Sequence, residues 1–150
     1  MSSFYDFQLR QPQTTLQMEQ VIDKIEEMCQ VLRTNYQSYA IQCHRNSLAK
    51  NAGVDEFLVK HHTEQIDKLA MGEGVDQFSY EKGRKYAKII HINGSGQRSS
   101  HAFVDLKTGD VYKSASWSKP ALGIRYNLLD NKSREEMYRR ADWAGAYLYR

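Results

Sequence analysis

The hydrophobic residues of this chain change their spacing once, and that change limits the possible folds more than any single motif does. Up to Met71 they recur at helical intervals; from Arg84 onward they alternate along short runs. Met18, Val21, Ile25, Met28 and Leu32 are three or four positions apart, and Ile22, Cys29 and Tyr36 widen the stripe. This predicts a helix from Thr14 to about Tyr39 or Gln42. Thr14 with Gln17 three residues later has the form of a capping box, and Gln11-Pro12-Gln13 reads as a non-helical lead-in. About 25 helical residues span roughly 37 Å, so the seam suits either the chain's own sheet or a second copy of the chain.

A second helix is expected over residues 54–71, with residues 46–53 unassigned, and Gly72-Glu73-Gly74 closes the helical half. Residues 85–92 then read as a strand, followed by a turn at Asn93-Gly94-Ser95-Gly96 and a second strand over 100–106. Lys107-Thr108-Gly109-Asp110 is a hairpin connection into a returning strand over 111–115. Pro120 ends the strand run, Gly123 permits a bend, and Ser133 with Glu136 suggests a capping box opening a helix to about Trp143. The expected fold is α+β: a long N-terminal helix and a second helix, then a small antiparallel meander and a C-terminal helix. We read residues 1–150 as one domain, with an oligomerising helical half (1–75) and a ligand-bearing half (80–150).

Composition narrows the function. Hydrophobic residues make up 41% and charged residues 26%, values ordinary for a soluble globular chain. A net charge of +3 suits small anionic ligands and is too mild, unless clustered, for a duplex-DNA binder. Cys29 and Cys43 fall on one predicted helix, roughly 21 Å apart and beyond disulfide reach, so both are expected to be reduced. The polar N-terminus lacks an apolar signal region and no run suggests a membrane span, so a cytoplasmic protein is expected.

Catalytic constellations are weak. His61 and His62 are adjacent, so on a helix their rings diverge by about 100°. His91 and His101, on neighbouring strands, lack a third metal ligand. Ser95 does not sit in a nucleophile elbow, and the cysteines lie among apolar neighbours, which disfavours the thiolate. Asp105 and Asp110 flank a hairpin and read as turn carboxylates. The expectation is a non-enzyme without metal or cofactor. Gly94-Ser95-Gly96 with Arg98 is either a phosphate-binding nest or a simple hairpin turn. An aromatic and basic set is more informative. Trp117, Tyr126 and Trp143 offer π faces for a purine, and Asn127 offers an amide for a base edge. Asp130 can accept from a ribose, while Arg125, Arg139 and Arg140 supply forked donors for phosphate. The plainer alternative is that the tryptophans are core and the arginines a solvated helix face.

Four stretches carry a family resemblance: Ser-x-His-Ala-Phe-Val-Asp from Ser99, Thr-Gly-Asp-Val-Tyr-Lys-x-Ala-Ser-Trp from Thr108, Pro-Ala-x-Gly-x-Arg-Tyr-Asn-Leu-x-Asp from Pro120, and Ala-Asp-Trp-Ala-Gly-x-Tyr-Leu-Tyr from Ala141. Over roughly residues 80–150 the chain resembles the phage Thoeris anti-defence sponges of the first type. Ser114 and Leu122 depart from the pattern expected there. The resemblance implies sequestration, without degradation, of a cyclic ADP-ribose isomer, with cyclic oligonucleotides as a further class, in the cytoplasm of an infected bacterium. It also implies a homo-oligomer, a dimer or trimer of dimers built on the N-terminal helix, with Asn127 and Asp130, and with them Arg125 and Trp117, contacting the nucleotide. The alternative function is a phage accessory protein that binds single-stranded nucleic acid.

Overall fold

The computed structural model describes the backbone of residues 4–150 and the side chains from Thr15 onward. The fold is α+β. Helix α1 (Phe4–Asn51) and helix α2 (Glu56–Ala70) precede strands β1 (Gln77–Lys82), β2 (Tyr86–Ile92), β3 (Arg98–Asp105), β4 (Asp110–Lys113) and β5 (Tyr126–Asn127). Helix α3 (Asn131–Arg140) and a 3₁₀ turn (Ala146–Leu148) complete the chain. The strands form one antiparallel meander in the order β1-β2-β3-β4-β5. No helix among the described residues is long and apolar enough to cross a membrane.

α1 has 48 residues, about 72 Å of helix at 1.5 Å per residue. It begins well before Thr14, so the expected lead-in at residues 11–13 is helical and a Thr14 box does not start the helix. The Thr14 side chain lies outside those described. Gln17 instead donates from Nε2 to the carbonyl of Lys107, tying α1 to the β3–β4 hairpin. Val21, Ile25, Met28 and Leu32 are fully buried against Phe78, Ala87, Ile89, Ala102, Val104 and Val111 of the sheet. The seam that suited two partners is thus filled by the chain's own sheet. Each such side chain contributes roughly 1.5–3 kcal/mol when fully buried.

The helix also outruns its predicted end, because α2 folds back along its last turns. Gln37 Nε2 donates to the Leu69 carbonyl at 2.6 Å, and His44 Nδ1 meets His62 Nδ1 at 2.8 Å. Facing one helix rather than a sheet, this stretch needs fewer apolar residues. Gly53, at φ +74°, makes the left-handed turn, and Asp55 caps α2 by accepting from the Phe57 and Leu58 amides.

Strands β2, β3 and β4 lie within two residues of their predicted bounds. β1 and the two-residue β5 escaped sequence reading. A register shift between Ile89 and Ile90 leaves His101 as a bulged residue between Ala102, paired with Ile89, and Ser100, paired with Ile90. α3 is capped by Asp130, not Ser133, whose Oγ accepts from the Asn127 amide at 2.8 Å. It stops at Arg140 because Ala141 is extended (φ −55°, ψ 130°). Trp143 therefore leaves the helix and lodges against Tyr36 and Tyr39, at centroid distances of 5.4 and 5.2 Å, its amide bonded to Asn35.

Candidate functional site

Helices α1 and α3 share one face of the sheet: Met137 of α3 joins the core, and the Tyr138 hydroxyl donates to the Lys24 carbonyl of α1. Among the described residues, no helix packs on the other face. The strand register puts Glu81, Lys88, Phe103 and Tyr112 in one row across that face, each opposite the next. Alternation adds Tyr86 on β2 beside them. The Tyr86 ring meets Phe103 and Tyr112 edge-on at 6.1 and 5.8 Å, an arrangement favoured by the aromatic quadrupole.

The segment after β4 folds back over this row. An isolated bridge joins Ser114 to Pro120, and the Ala115 amide bonds the Lys119 carbonyl at 2.9 Å, closing a short loop. The loop sets Trp117 on Lys88, whose Nζ is 3.7 Å from the ring centroid, with the Arg98 guanidinium 5.6 Å away. Trp117 is 45% exposed, whereas Phe103 beneath is buried and forms the floor. Arg98 is also paired with Glu81. Beside the loop lies a recess of about 290 Å³, lined among others by Arg84, Lys85, Tyr86, Lys88 and Phe103. Burial and then Asp110 raise the Tyr112 hydroxyl above its ordinary pKa, so it stays neutral here. Partly open aromatic rings bordered by cations can stack a base and neutralise its phosphates.

The residues singled out from sequence do not converge. Trp117 lies on the open face. Tyr126 is core, its hydroxyl donating to the Tyr147 carbonyl at 3.0 Å. Asn127 is engaged at both ends: Nδ2 donates to Thr108 O and Asp110 Oδ1, and Oδ1 accepts from the Leu129 and Asp130 amides. Asp130 accepts from the Lys132 amide as the α3 cap. Both therefore serve the turn into α3, the plainer role. Arg125 lies beside its own Gly123 carbonyl and keeps a buried Nε with no partner among the described residues. Arg139 and Arg140 are exposed on the last turn of α3, on the helix-covered side of the sheet, with Arg140 paired to Glu136 at 3.3 Å. The sheet thus separates them from Trp117. Trp143 is wedged between helix tyrosines and is not poised to stack a ligand.

The Gly94-Gly96 turn is not a nest: Asn93 Oδ1 takes the Ser95 and Gln97 amides, and Asn93 O takes that of Gly96. His91 and His101 flank Phe78, the first stacked at 4.6 Å and the second edge-on at 5.3 Å. A larger recess of about 690 Å³ between α1 and α3 carries Asp23, Glu26 and Glu27 against Lys24 and Arg134, a net negative lining that disfavours an anionic ligand. Sequence reading missed Tyr86, Lys88, Phe103 and Tyr112. Their alternation was visible, but not which face the helices would leave bare.

The described residues form a two-layer α+β domain: helices on one face of an antiparallel meander, aromatic and basic side chains on the other. The chain belongs to a family of unknown function, DUF7717, whose model matches residues 4–150. Comparisons with curated proteins and with solved structures gave no match.

Proposed function

We propose that this protein binds single-stranded nucleic acid, or a segment of it, on the open face of its sheet. The observation that carries the reading is Trp117, half exposed and held over Lys88 at 3.7 Å beside Arg98, above a floor of Tyr86, Phe103 and Tyr112. A base stacks on the outer face of Trp117, and Arg84, Lys85, Lys88 and Arg98 meet the backbone. The sequence preference is weak, because stacking tolerates every base. Titration of a fluorescein-labelled single-stranded oligonucleotide, followed by anisotropy, tests it. Replacing Trp117 by alanine removes one stack of about 1–3 kcal/mol, an affinity loss of roughly five- to 150-fold. One of the four cations is already paired with Glu81, so about three phosphates are neutralised. The logarithm of affinity should then fall with the logarithm of salt at a slope of about −2. Binding that Trp117→Ala leaves intact would refute the reading.

The recess of about 290 Å³ favours a second reading, capture of a cyclic ADP-ribose isomer without degradation by a phage anti-defence protein in the host cytoplasm. A nearly salt-independent, one-to-one complex from which the ligand is recovered unchanged would select it over strand binding. Self-association, as a dimer or trimer of dimers, is proposed for surfaces of α1 and α2 that the sheet leaves uncovered, where Leu16, Tyr39 and Phe57 are exposed.

A further inference from the structure

A second recess, of about 340 Å³, lies where the β3 bulge meets the chain end, away from Trp117. Its polar lining comes from His91, Ser99, Ser100, Lys113 and Ser114, with Trp143 as an aromatic wall. We propose that this recess binds the phosphate monoester of a nucleotide-sized ligand, with Lys113 and the Ser99 hydroxyl holding the phosphate and His91 oriented toward it by Asp76.

The lining contains one permanent cation, Lys113, and no carboxylate. Lys113 Nζ stands 4.5 Å from the ring centroid of Tyr149, which also borders the recess, so it is positioned without being neutralised by an acid. The Ser100 and Ser114 hydroxyls are 2.7 Å apart. They bond each other on the Ile90 side of the sheet, opposite His91 and Lys113, so neither hydroxyl is counted toward the ligand. Ser99 stands opposite His91 in the β2–β3 register, on the same face of the sheet. His91 in turn contacts Asp76, itself buried, through Nε2 at 2.7 Å. That contact fixes the ring and leaves Nδ1 with no partner among the described residues. His101, which shares the recess, adds no charge: burial lowers its pKa to about 4, and it contacts the Tyr147 hydroxyl at 2.7 Å. Its part is to keep the bulge packed. Tyr149, largely exposed, offers apolar surface to whatever ring follows the phosphate. This inference does not depend on the open-face reading, because it uses neither Trp117 nor its neighbours.

The test is titration of the full chain with adenosine monophosphate, adenosine and a 5′-phosphorylated oligonucleotide, by calorimetry and by amide chemical shifts. Adenosine monophosphate should shift the Ser99, Ser100 and Ser114 amides and bind at least tenfold more tightly than adenosine. Lys113→Gln should weaken it at least tenfold, Ser99→Ala less, and Trp117→Ala not at all. A melting curve for each variant establishes that it is folded; if Lys113→Gln is not, Ser99→Ala is the deciding variant. Tighter binding of the phosphorylated oligonucleotide than of the mononucleotide assigns the site to strand ends; the reverse assigns it to free nucleotides. Equal binding of adenosine and its monophosphate, shifts confined to other residues, or folded variants with unchanged affinity would overturn the proposal. Loss of oligonucleotide binding to the open face alone would leave it standing.

Discussion

Replacing Asn127 by alanine removes four hydrogen bonds at one point, where the β3–β4 hairpin, β5 and the start of α3 meet. Two of the abandoned groups, the Leu129 amide and Asp110 Oδ1, sit in part-buried bonds; the Thr108 carbonyl and the Asp130 amide are in exposed ones and can turn to water. A typical intramolecular hydrogen bond contributes about 1 kcal/mol net, and a donor left dry costs about 1–3 kcal/mol. The loss should therefore total about 2–4 kcal/mol. For a chain of this size each kcal/mol lowers Tm by about 2–4 °C, so Tm should fall by roughly 5–15 °C. Asn127→Asp is the informative companion. It keeps the acceptor for the Leu129 and Asp130 amides but sets a carboxylate where Nδ2 lay 2.8 Å from Asp110 Oδ1. That variant should be destabilised at pH 7 and should recover in acid, where one of the two carboxyls takes a proton. Thermal melts at pH 7 and pH 4, with anisotropy titrations on the folded fraction, measure both quantities. Unchanged oligonucleotide affinity with lowered Tm is the expected pair. An unchanged Tm with a tenfold loss of affinity would refute the structural role and return Asn127 to direct ligand contact.

Ile25, fully buried against the sheet, cannot become aspartate without burying an unpaired charge, at a cost of several kcal/mol. Ile25→Asp should unfold or aggregate by circular dichroism and light scattering; a folded chain of smaller mass would instead place the seam in a subunit interface. Stability should also depend on pH through His101. Its folded pKa of about 4 lies below its ordinary value of 6.5, so the unfolded chain binds the proton first as pH falls. That contribution is complete above about pH 6.5 and lost on descending to about pH 4. It amounts to about 3 kcal/mol at 1.36 kcal/mol per unit. His101→Phe should flatten the urea-denaturation profile over that window while lowering stability at pH 7, since the Tyr147 hydroxyl loses its partner. An identical slope in the variant would count against the assignment.

The helical stripe from Met18 to Leu32 and the alternation of β2 and β3 were legible because each follows from local geometry, period 3.6 in one and period 2 in the other. β1 was not legible. Its inward residues are Phe78 and Tyr80 alone, amid Glu81 and Lys82, too short a pattern to stand out. The end of α1 was misplaced for the opposite reason: its last turns are polar, and α2 alone supports them. Asn127 and Asp130 drew attention as a ligand pair because an Asn-x-x-Asp spacing looks alike whether it faces solvent or caps the next helix. Only the hydrogen bonds distinguish the two.

What the sequence determined by itself is the passage from two helices to an antiparallel meander and a last helix, and the apolar stripe of α1, since propensity and periodicity act within a few residues of chain. It did not determine which side of the sheet that stripe would cover. The tertiary structure decided this by seating α1 and α3 together on one face, and the choice sorts every candidate residue. Tyr126 and Trp143 become packing, Arg139 and Arg140 fall on the far side, and Trp117 is carried by a loop onto Lys88. The physical reason is that a strand shows both faces equally in its sequence. Burial of one face comes only from long-range contacts, such as Val21 and Ile25 with Phe78 and Ile89.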